Sequence, residues 1–319
     1  METSPISTIT LSRKLKFHQL MIFELVLESG SFVRAANAMS LTQPAITKAI
    51  YDLELFFGSP LFERSNRGVT PTEFGVMLGR RVKSLIAETR YMTEEVNAFR
   101  TGEAGHVIVG TLISASAKLL PRAIVALRKA TPGVLITVRE GTTAQMFPAL
   151  ATGDLDIVVG RLPEQELPLS HAFPLKHEVL FHESFCAVVG CDHPLADSKG
   201  LSIADLMTEE WIFPLQESPS YNAVEKFFRD SKLGLPPHHV NSLSILTNIG
   251  LLLETDMIAL MPRAAALQFV KAGLIVVLDL TKSANFGEVG FSIRADKDVN
   301  PACKNFIKCL RETAKSIFE

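Results

Sequence analysis

Apolar residues fall at helical spacing through the first hundred positions and in strand-like runs that alternate with helical stripes after them. Phe17, Leu20, Phe23 and Leu27 share one stripe of a helix predicted over about 16–29, which Gly30 ends in the left-handed conformation. Ser31 offers an N-cap oxygen to a second helix, where Phe32, Ala35, Ala36 and Met39 keep the i, i+3, i+4, i+7 pattern. After a turn at Ser40 and Leu41, Thr42 caps a third helix. Pro44 falls in its first turn, where a missing N–H breaks no intrahelical bond. Ile46, Ala49, Ile50 and Leu53 form its inward face, and Gln43, Thr47 and Tyr51 the opposite one, with Pro44 and Lys48 beside them. Donors and acceptors at the start of an exposed helix are the layout of a helix-turn-helix, whose second helix enters the major groove of DNA.

A long helix follows. Thr70, Pro71 and Glu73 fit the N-cap, N1 and N3 positions of a capping box, and no proline intervenes before Pro121. Leu78, Val82, Leu85, Thr89, Met92, Val96 and Phe99 are spaced as a heptad seam broken only by Thr89. A helix of about 29 residues is roughly 43 Å long, too long to bury itself within one small domain. Leu78, Val82, Leu85, Met92, Val96 and Phe99 are therefore expected to pair with a second copy of the chain.

From Thr101 to Gly105 the chain reads as a flexible joint, and the period then changes. Strands are predicted near 107–112, 134–139, 155–159, 185–189, 211–213, 258–261, 275–278 and 289–294. Helices are predicted near 119–130, 143–151, 221–231, 243–254, 263–271 and 301–318. Repeated β-α-β alternation argues for open parallel sheets covered by helices, and the length of this module for two α/β subdomains.

Composition narrows the function. With 319 residues, 47% hydrophobic and 21% charged, the chain carries enough apolar surface for two or three cores, which excludes a disordered or collagen-like protein. Its 32 Lys and Arg against 34 Asp and Glu give no global sign of a polyanion partner. The balance is uneven, however: residues 1–100 hold 12 cations and 10 anions, residues 101–319 hold 20 and 24. Cys186, Cys191, Cys303 and Cys309 form no C-x-x-C pair and read as reduced thiols, with a redox pair of Cys186 and Cys191 as the alternative. The histidines show no metal-ligand spacing, so neither metal nor cofactor is expected. Met1 to Lys16 lacks the apolar core of a secretory signal and no apolar run reaches a bilayer's span, so the expected location is cytoplasmic, without membrane contact.

Residues 15–78 resemble the winged helix-turn-helix of LysR-type transcriptional regulators. The resemblance is carried by Ala35-Ala36, Thr42-Gln43-Pro44-Ala45, Leu53-Glu54, Leu61-Phe62-Glu63-Arg64, Arg67-Gly68, Thr70-Pro71-Thr72 and Gly75. It implies that Gln43, Pro44 and Thr47 lie against base edges, Lys48 against bases or backbone, and Arg34, Arg64 and Arg67 on phosphates or in the minor groove. Ser31 and Thr42, at the two helix starts, join that set. Gln suits the donor and acceptor pair of adenine.

The resemblance further implies a winged helix-turn-helix domain over 16–75 and a dimerising linker helix over 71–100. The effector-binding domain over 106–319 would be similar to type 2 periplasmic binding proteins. Its first lobe would take about 106–176 and 280–319 and its second about 177–279. The implied fold is thus α/β, with a largely helical winged head. The implied partners are double-stranded DNA, a small-molecule effector, one or three further copies of the chain (a homodimer or homotetramer) and, as a further candidate, RNA polymerase. Three strings, beginning at Thr137, His193 and Asn241, are most similar to the subgroup containing the galactose-binding protein regulator.

In open α/β sheets, ligands bind beyond the carboxyl ends of strands, where helix N-termini expose N–H groups. Loops of that kind carry Ser114, Ser116, Thr142, Thr143, Ser218, Ser220, Ser244 and Thr247, and Arg161 adds a charge. They point to a small polar effector, a carboxylate or sugar acid among the candidates; ordinary N-capping is the competing explanation for each Ser or Thr. An enzyme or a solute-binding protein on the same scaffold is the alternative. The chain has no G-x-S-x-G elbow, no G-x-G-x-x-G and no P-loop, and a binding protein would not need the first hundred residues.

Overall fold

The computed structural model describes residues 7–65, 68–101, 105–164, 173–216, 218–282, 284–295 and 297–318. The chain forms two compact units, residues 1–93 with 152–154, and residues 94–151 with 155–319.

The first unit begins with a short helix, α1 (Thr8–Lys14), that the apolar pattern does not announce. Three helices follow as the caps predict. α2 (Phe17–Ser29) ends at Gly30 with φ +60°. α3 (Phe32–Ala38) starts where the Ser31 hydroxyl accepts from the Arg34 N–H. α4 (Gln43–Phe57) starts where the Thr42 hydroxyl accepts from the Ala45 N–H. Their apolar faces meet in one core in which Phe23 and Phe62 lie 5.4 Å apart, ring centre to ring centre. The wing is a hairpin of β1 (Phe62–Ser65) and β2 (Gly68–Pro71). Glu54, near the end of α4, holds its root by accepting the Leu61 N–H at 2.8 Å.

The helix α5 (Glu73–Thr101) has 29 residues. Its cap is not Thr70. The Thr72 hydroxyl accepts from the Gly75 N–H at 3.0 Å, because Thr70 and Pro71 are taken up in pairing β2 with β1. Gly75 is required here, since a Cβ would sit 2.2 Å from the Leu61 carbonyl oxygen.

In the second unit come β3 (His106–Thr111), α6 (Ile113–Ser116), α7 (Leu119–Ala130), β4 (Leu135–Glu140), α8 (Thr143–Thr152), β5 (Ile157–Arg161) and β6 (Leu175–Gly190). A 3-10 turn at Ile203–Leu206 leads to β7 (Trp211–Phe213), α9 (Pro219–Asp230), β8 (His239–Asn241), α10 (Ile245–Glu254), β9 (Ile258–Pro262) and α11 (Arg263–Lys271). The chain closes with β10 (Ile275–Val277), β11 (Ala284–Arg294) and α12 (Pro301–Phe318).

Two features depart from the sequence expectation. The predicted strands near 185–189 and 289–294 are the ends of two long strands, β6 with 16 residues and β11 with 11. The strands also do not form separate parallel sheets. They make one hydrogen-bonded path, β4-β3-β5-β11-β6-β9-β7-β8, with β10 on β6. β3, β4 and β5 are parallel to one another, as are β7, β8 and β9, but β11 and β6 run antiparallel to their neighbours. β6 pairs with β11 from Leu175 to Phe185 and with β9 from Phe185 to Val188. β6 therefore passes from the first set of strands to the second near residues 183–185, inside the strand.

Candidate nucleic-acid interface and effector cleft

At the start of α4, Thr42, Gln43, Pro44 and Lys48 are exposed and Thr47 is half-buried, while Ile46, Ile50 and Leu53 are buried in the head core. Four of the predicted base-reading positions, 43, 44, 47 and 48, thus share the free face of one helix start. Proline at the first turn adds rigidity without losing an intrahelical bond. Arg34 is exposed on α3 and donates one guanidinium N–H to the Ser29 carbonyl at the end of α2, which aims the side chain while leaving donors over. Ser31 serves as the α3 cap. The Arg64 backbone lies in β1, but its side chain and the whole of Arg67 lie outside the described residues.

Lys83 of α5 closes on two carboxylates of α2, at 3.7 Å from Glu24 and 3.0 Å from Glu28. Burial, then the neighbouring Glu28, pushes the Glu24 carboxyl up to about 7. α5 is thereby fastened to the head by charge as well as by packing.

That packing divides the predicted seam. Val82 is 1% exposed, and Leu78, half-buried, packs beside it on the head core, so both residues serve the head's own packing. The first turns of α5 lie so close to α2 that a Cβ on Gly79 would meet the Leu27 side chain at 2.5 Å. Leu85, Met92 and Val96 are exposed at 51%, 60% and 51%. The Phe99 side chain lies outside the described residues.

Strand directions place the effector candidates. β5 ends at Arg161, which pairs with Val289 of β11; Val289 in turn pairs with Phe181 of β6. β9 runs opposite to β6 and ends at Pro262, which pairs with Phe185. The carboxyl ends of β3, β4 and β5 therefore face the carboxyl ends of β7, β8 and β9 across the four-residue step from Phe181 to Phe185, about 13 Å of strand. This is the facing arrangement in which both sets of following helices turn their N-termini toward one cleft.

Around that cleft the predicted residues have different occupations. The Ser114 side chain, after β3, is 1% exposed, and its Oγ has no hydrogen-bond partner among the described residues. Ser116 donates to Glu140 at 3.2 Å. Thr142 donates to the Gln145 side chain at 3.2 Å, and Thr143 is the first residue of α8. Ser218 and Ser244 cap α9 and α10, as the competing explanation has it, Ser220 lies in the first turn of α9, and Thr247 donates to Ser244 at 2.9 Å. Arg161 is 8% exposed and its guanidinium is paired with Glu164, so its charge is already matched within the chain.

Two residues the sequence does not single out belong here. Asn248, in the second turn of α10, is buried with an Oδ1 that has no partner among the described residues. Glu183 lies on β6 midway between the two sets of strand ends. It accepts the Ala264 N–H at the start of α11 at 3.2 Å and the Ser184 N–H at 2.9 Å, and burial raises its pKa. Neither carries a motif: a buried carboxylate and a core asparagine are legible only once the strands are paired.

The four cysteines are free thiols. Cys186 is buried in β6, where burial pushes its thiol up to about 12, while Cys191 is exposed. No group of three or more His, Cys, Asp or Glu among the described residues is placed to hold a metal ion. No helix among them is long and apolar enough to cross a membrane.

Comparison with known proteins agrees with both halves. Residues 17–76 match the bacterial regulatory helix-turn-helix model of the lysR family, and residues 100–315 match the LysR substrate binding domain. Among curated relatives, the HTH-type transcriptional regulator GbpR of Azospirillum brasilense is 27% identical over 94% of this chain and 87% of its own. PcaQ of Agrobacterium fabrum is 28% identical over 96% and 97%. Among solved structures, full-length CbnR in complex with its target DNA superposes with a TM-score of 0.68 at 19% identity, covering 94% of this chain and all of that one. These relatives are regulators rather than enzymes, and the chain belongs to the LysR family of DNA-binding transcriptional regulators, with a helix-turn-helix head and an effector-binding domain.

Proposed function

We propose that this regulator reads duplex DNA as a homodimer or dimer of dimers, with Gln43, Pro44 and Thr47 on base edges and Lys48 on bases or backbone. Arg34, Arg64 and Arg67 then hold phosphates or the minor groove, and Ser31 and Thr42 fix the two helix starts against the backbone. The observation that carries this reading is the free polar face at the start of α4, mounted on a buried apolar face. Gln43→Ala removes a bidentate adenine contact worth about 1–3 kcal/mol in each half-site. Binding to the chain's own upstream DNA is expected to fall by about 5- to 150-fold per half-site in a gel shift, while binding to random duplex stays the same. Equal loss on both DNAs would show that Gln43 does not read bases.

The effector is read as a small polar molecule held between the two facing sets of strand ends. Support comes from two buried polar atoms without a partner among the described residues, Ser114 Oγ after β3 and Asn248 Oδ1 after β8, which lie beyond the carboxyl ends of opposite sets. An unpaired buried polar group costs about 1–3 kcal/mol, which a ligand donor recovers. Helix starts on both sides supply N–H groups for a carboxylate. Glu140 beside Ser116 and Glu183 at the start of α11 add acceptors that suit hydroxyl groups. A hydroxylated carboxylate, such as a sugar acid, meets both demands. Calorimetric titration of the full chain with small carboxylates, sugar acids and uncharged apolar compounds is expected to show binding in the first two classes. Binding confined to the apolar compounds would defeat the assignment.

A further inference from the structure

Residues 7–16 precede the matched helix-turn-helix module, and nothing in the reading above uses them. α1, within this stretch, buries no residue. Ser7 caps it, and Ile9 stands 65% exposed, so α1 itself adds nothing to the head core. Leu15, packed against the head core, ties it to the same cluster that carries α2 and α4.

We propose that this segment is a second DNA-contacting element, an arm whose Arg13, Lys14 and Lys16 neutralise backbone phosphates flanking the bases read by α4. The inference rests on the assignment of α4 as the base-reading helix. Three observations point to duplex DNA as the occupant. Arg13, Lys14 and Lys16 are all exposed and stand within four residues, and no carboxylate pairs with any of them among the described residues. Residues 7–16 hold three cations and no acid, whereas residues 17–100 hold nine of each. The positive excess of residues 1–100 therefore resides in the arm, and without it the base-reading module together with the linker helix is neutral. Non-specific affinity for DNA comes from cations that displace condensed counterions, so a neutral module needs a local source of them.

The third observation is the position of Lys16. Arg13 and Lys14 complete the last turn of α1, where cations favour the helix dipole, but Lys16 is the N-cap residue of α2, where a cation opposes it. The first turn of α2 has no acidic residue to offset it. A phosphate at that point would satisfy both Lys16 and the free N–H groups of the helix start. α1 is about 10 Å long, short enough for its cations to engage backbone close to the base-reading helix.

The test compares the full chain with its Arg13→Ala/Lys14→Ala/Lys16→Ala variant on a random-sequence duplex and on the chain's upstream DNA, across a series of salt concentrations. Each phosphate neutralised contributes about 0.9 to the slope of log K against log salt, through the counterions it releases. The variant is expected to lose about 2–5 from that slope for a bound dimer, with equal weakening on both DNAs and an unchanged circular dichroism spectrum. The Arg13→Lys/Lys14→Arg/Lys16→Arg variant, which keeps every charge, is expected to keep the slope. A triple-alanine slope equal to that of the original chain overturns the proposal. If the same variant instead changes the oligomer mass without DNA, the arm's partner is another copy of the chain and the proposal is again overturned. Failure of the unaltered chain to bind any duplex at any salt would refute the reading of α4 itself, a result distinct from a lost difference between variants.

Discussion

Glutamate at Leu85 and Met92 together is expected to leave the head folded and to convert the protein to monomers. Both side chains are more than half exposed, seven residues apart on one face of α5, with Val96 four residues further on. An exposed apolar row on a helix of this length is stabilised by pairing with a second copy, and two buried glutamates at such a seam cost far more than they contribute. The consequence for DNA is larger than for folding. Binding to two half-sites through one dimer makes the second contact intramolecular, and losing that linkage lowers affinity by about 10²–10⁴-fold. Sedimentation velocity would register the monomer and gel shift the lost affinity. A variant that still sediments as the original chain would remove this face from the dimer. Substitution at Leu78 or Val82 would test something else, since both belong to the head core.

Gly290→Ala is expected to disrupt the effector-binding domain. An added Cβ would lie 1.9 Å from the Glu178 carbonyl oxygen and 2.9 Å from its carbon. These are backbone atoms of β6, so no side-chain rotation relieves the overlap, and β11 must move off β6. The close approach coincides with a register shift between Val289 and Gly290. Overpacking against fixed atoms costs about 3 kcal/mol or more, equivalent to roughly 6–12 °C in the unfolding temperature of a domain of this size. Gly234→Ala is the control, because nothing lies within 4 Å of its added Cβ. Calorimetry showing the two variants within about 2 °C of one another would contradict the steric argument.

The parts of the fold legible in the sequence are those decided within a few residues. Gly30, Ser31 and Thr42 place helix ends through their own backbone and side-chain chemistry, and they lie where the caps predict. α11 and α12 follow from helical periodicity, and β7 from a short apolar run. The free face at the start of α4 is legible for the same reason. Its apolar positions 46, 50 and 53 determine which side must be covered, and hence that 43, 44, 47 and 48 are not.

What was not legible depends on partners distant in the chain. β6 begins Leu175-Lys176-His177-Glu178, a stretch too polar to announce a strand, and it becomes one because β11 pairs with it more than a hundred residues later. The heptad spacing of α5 is the same for a residue facing another copy and one facing its own head. Only the approach of α2 assigns Leu78 and Val82 inward and leaves Leu85, Met92 and Val96 outward. Ser114 and Ser244 look alike as loop serines. Packing makes the first a buried group without a partner among the described residues and the second an ordinary cap.

The sequence by itself determined the family, the exposed polar start of α4, and the alternation of strands and helices, because short-range capping, periodicity and motif spacing carry that information. Tertiary structure alone decided that the two sets of strand ends face each other, that Glu183 sits between them, and that Leu78 and Val82 turn onto the head core while Leu85, Met92 and Val96 stay exposed. Each of these is set by the register of strands and helices brought together from far apart, and no local pattern of residues encodes a register with a distant partner.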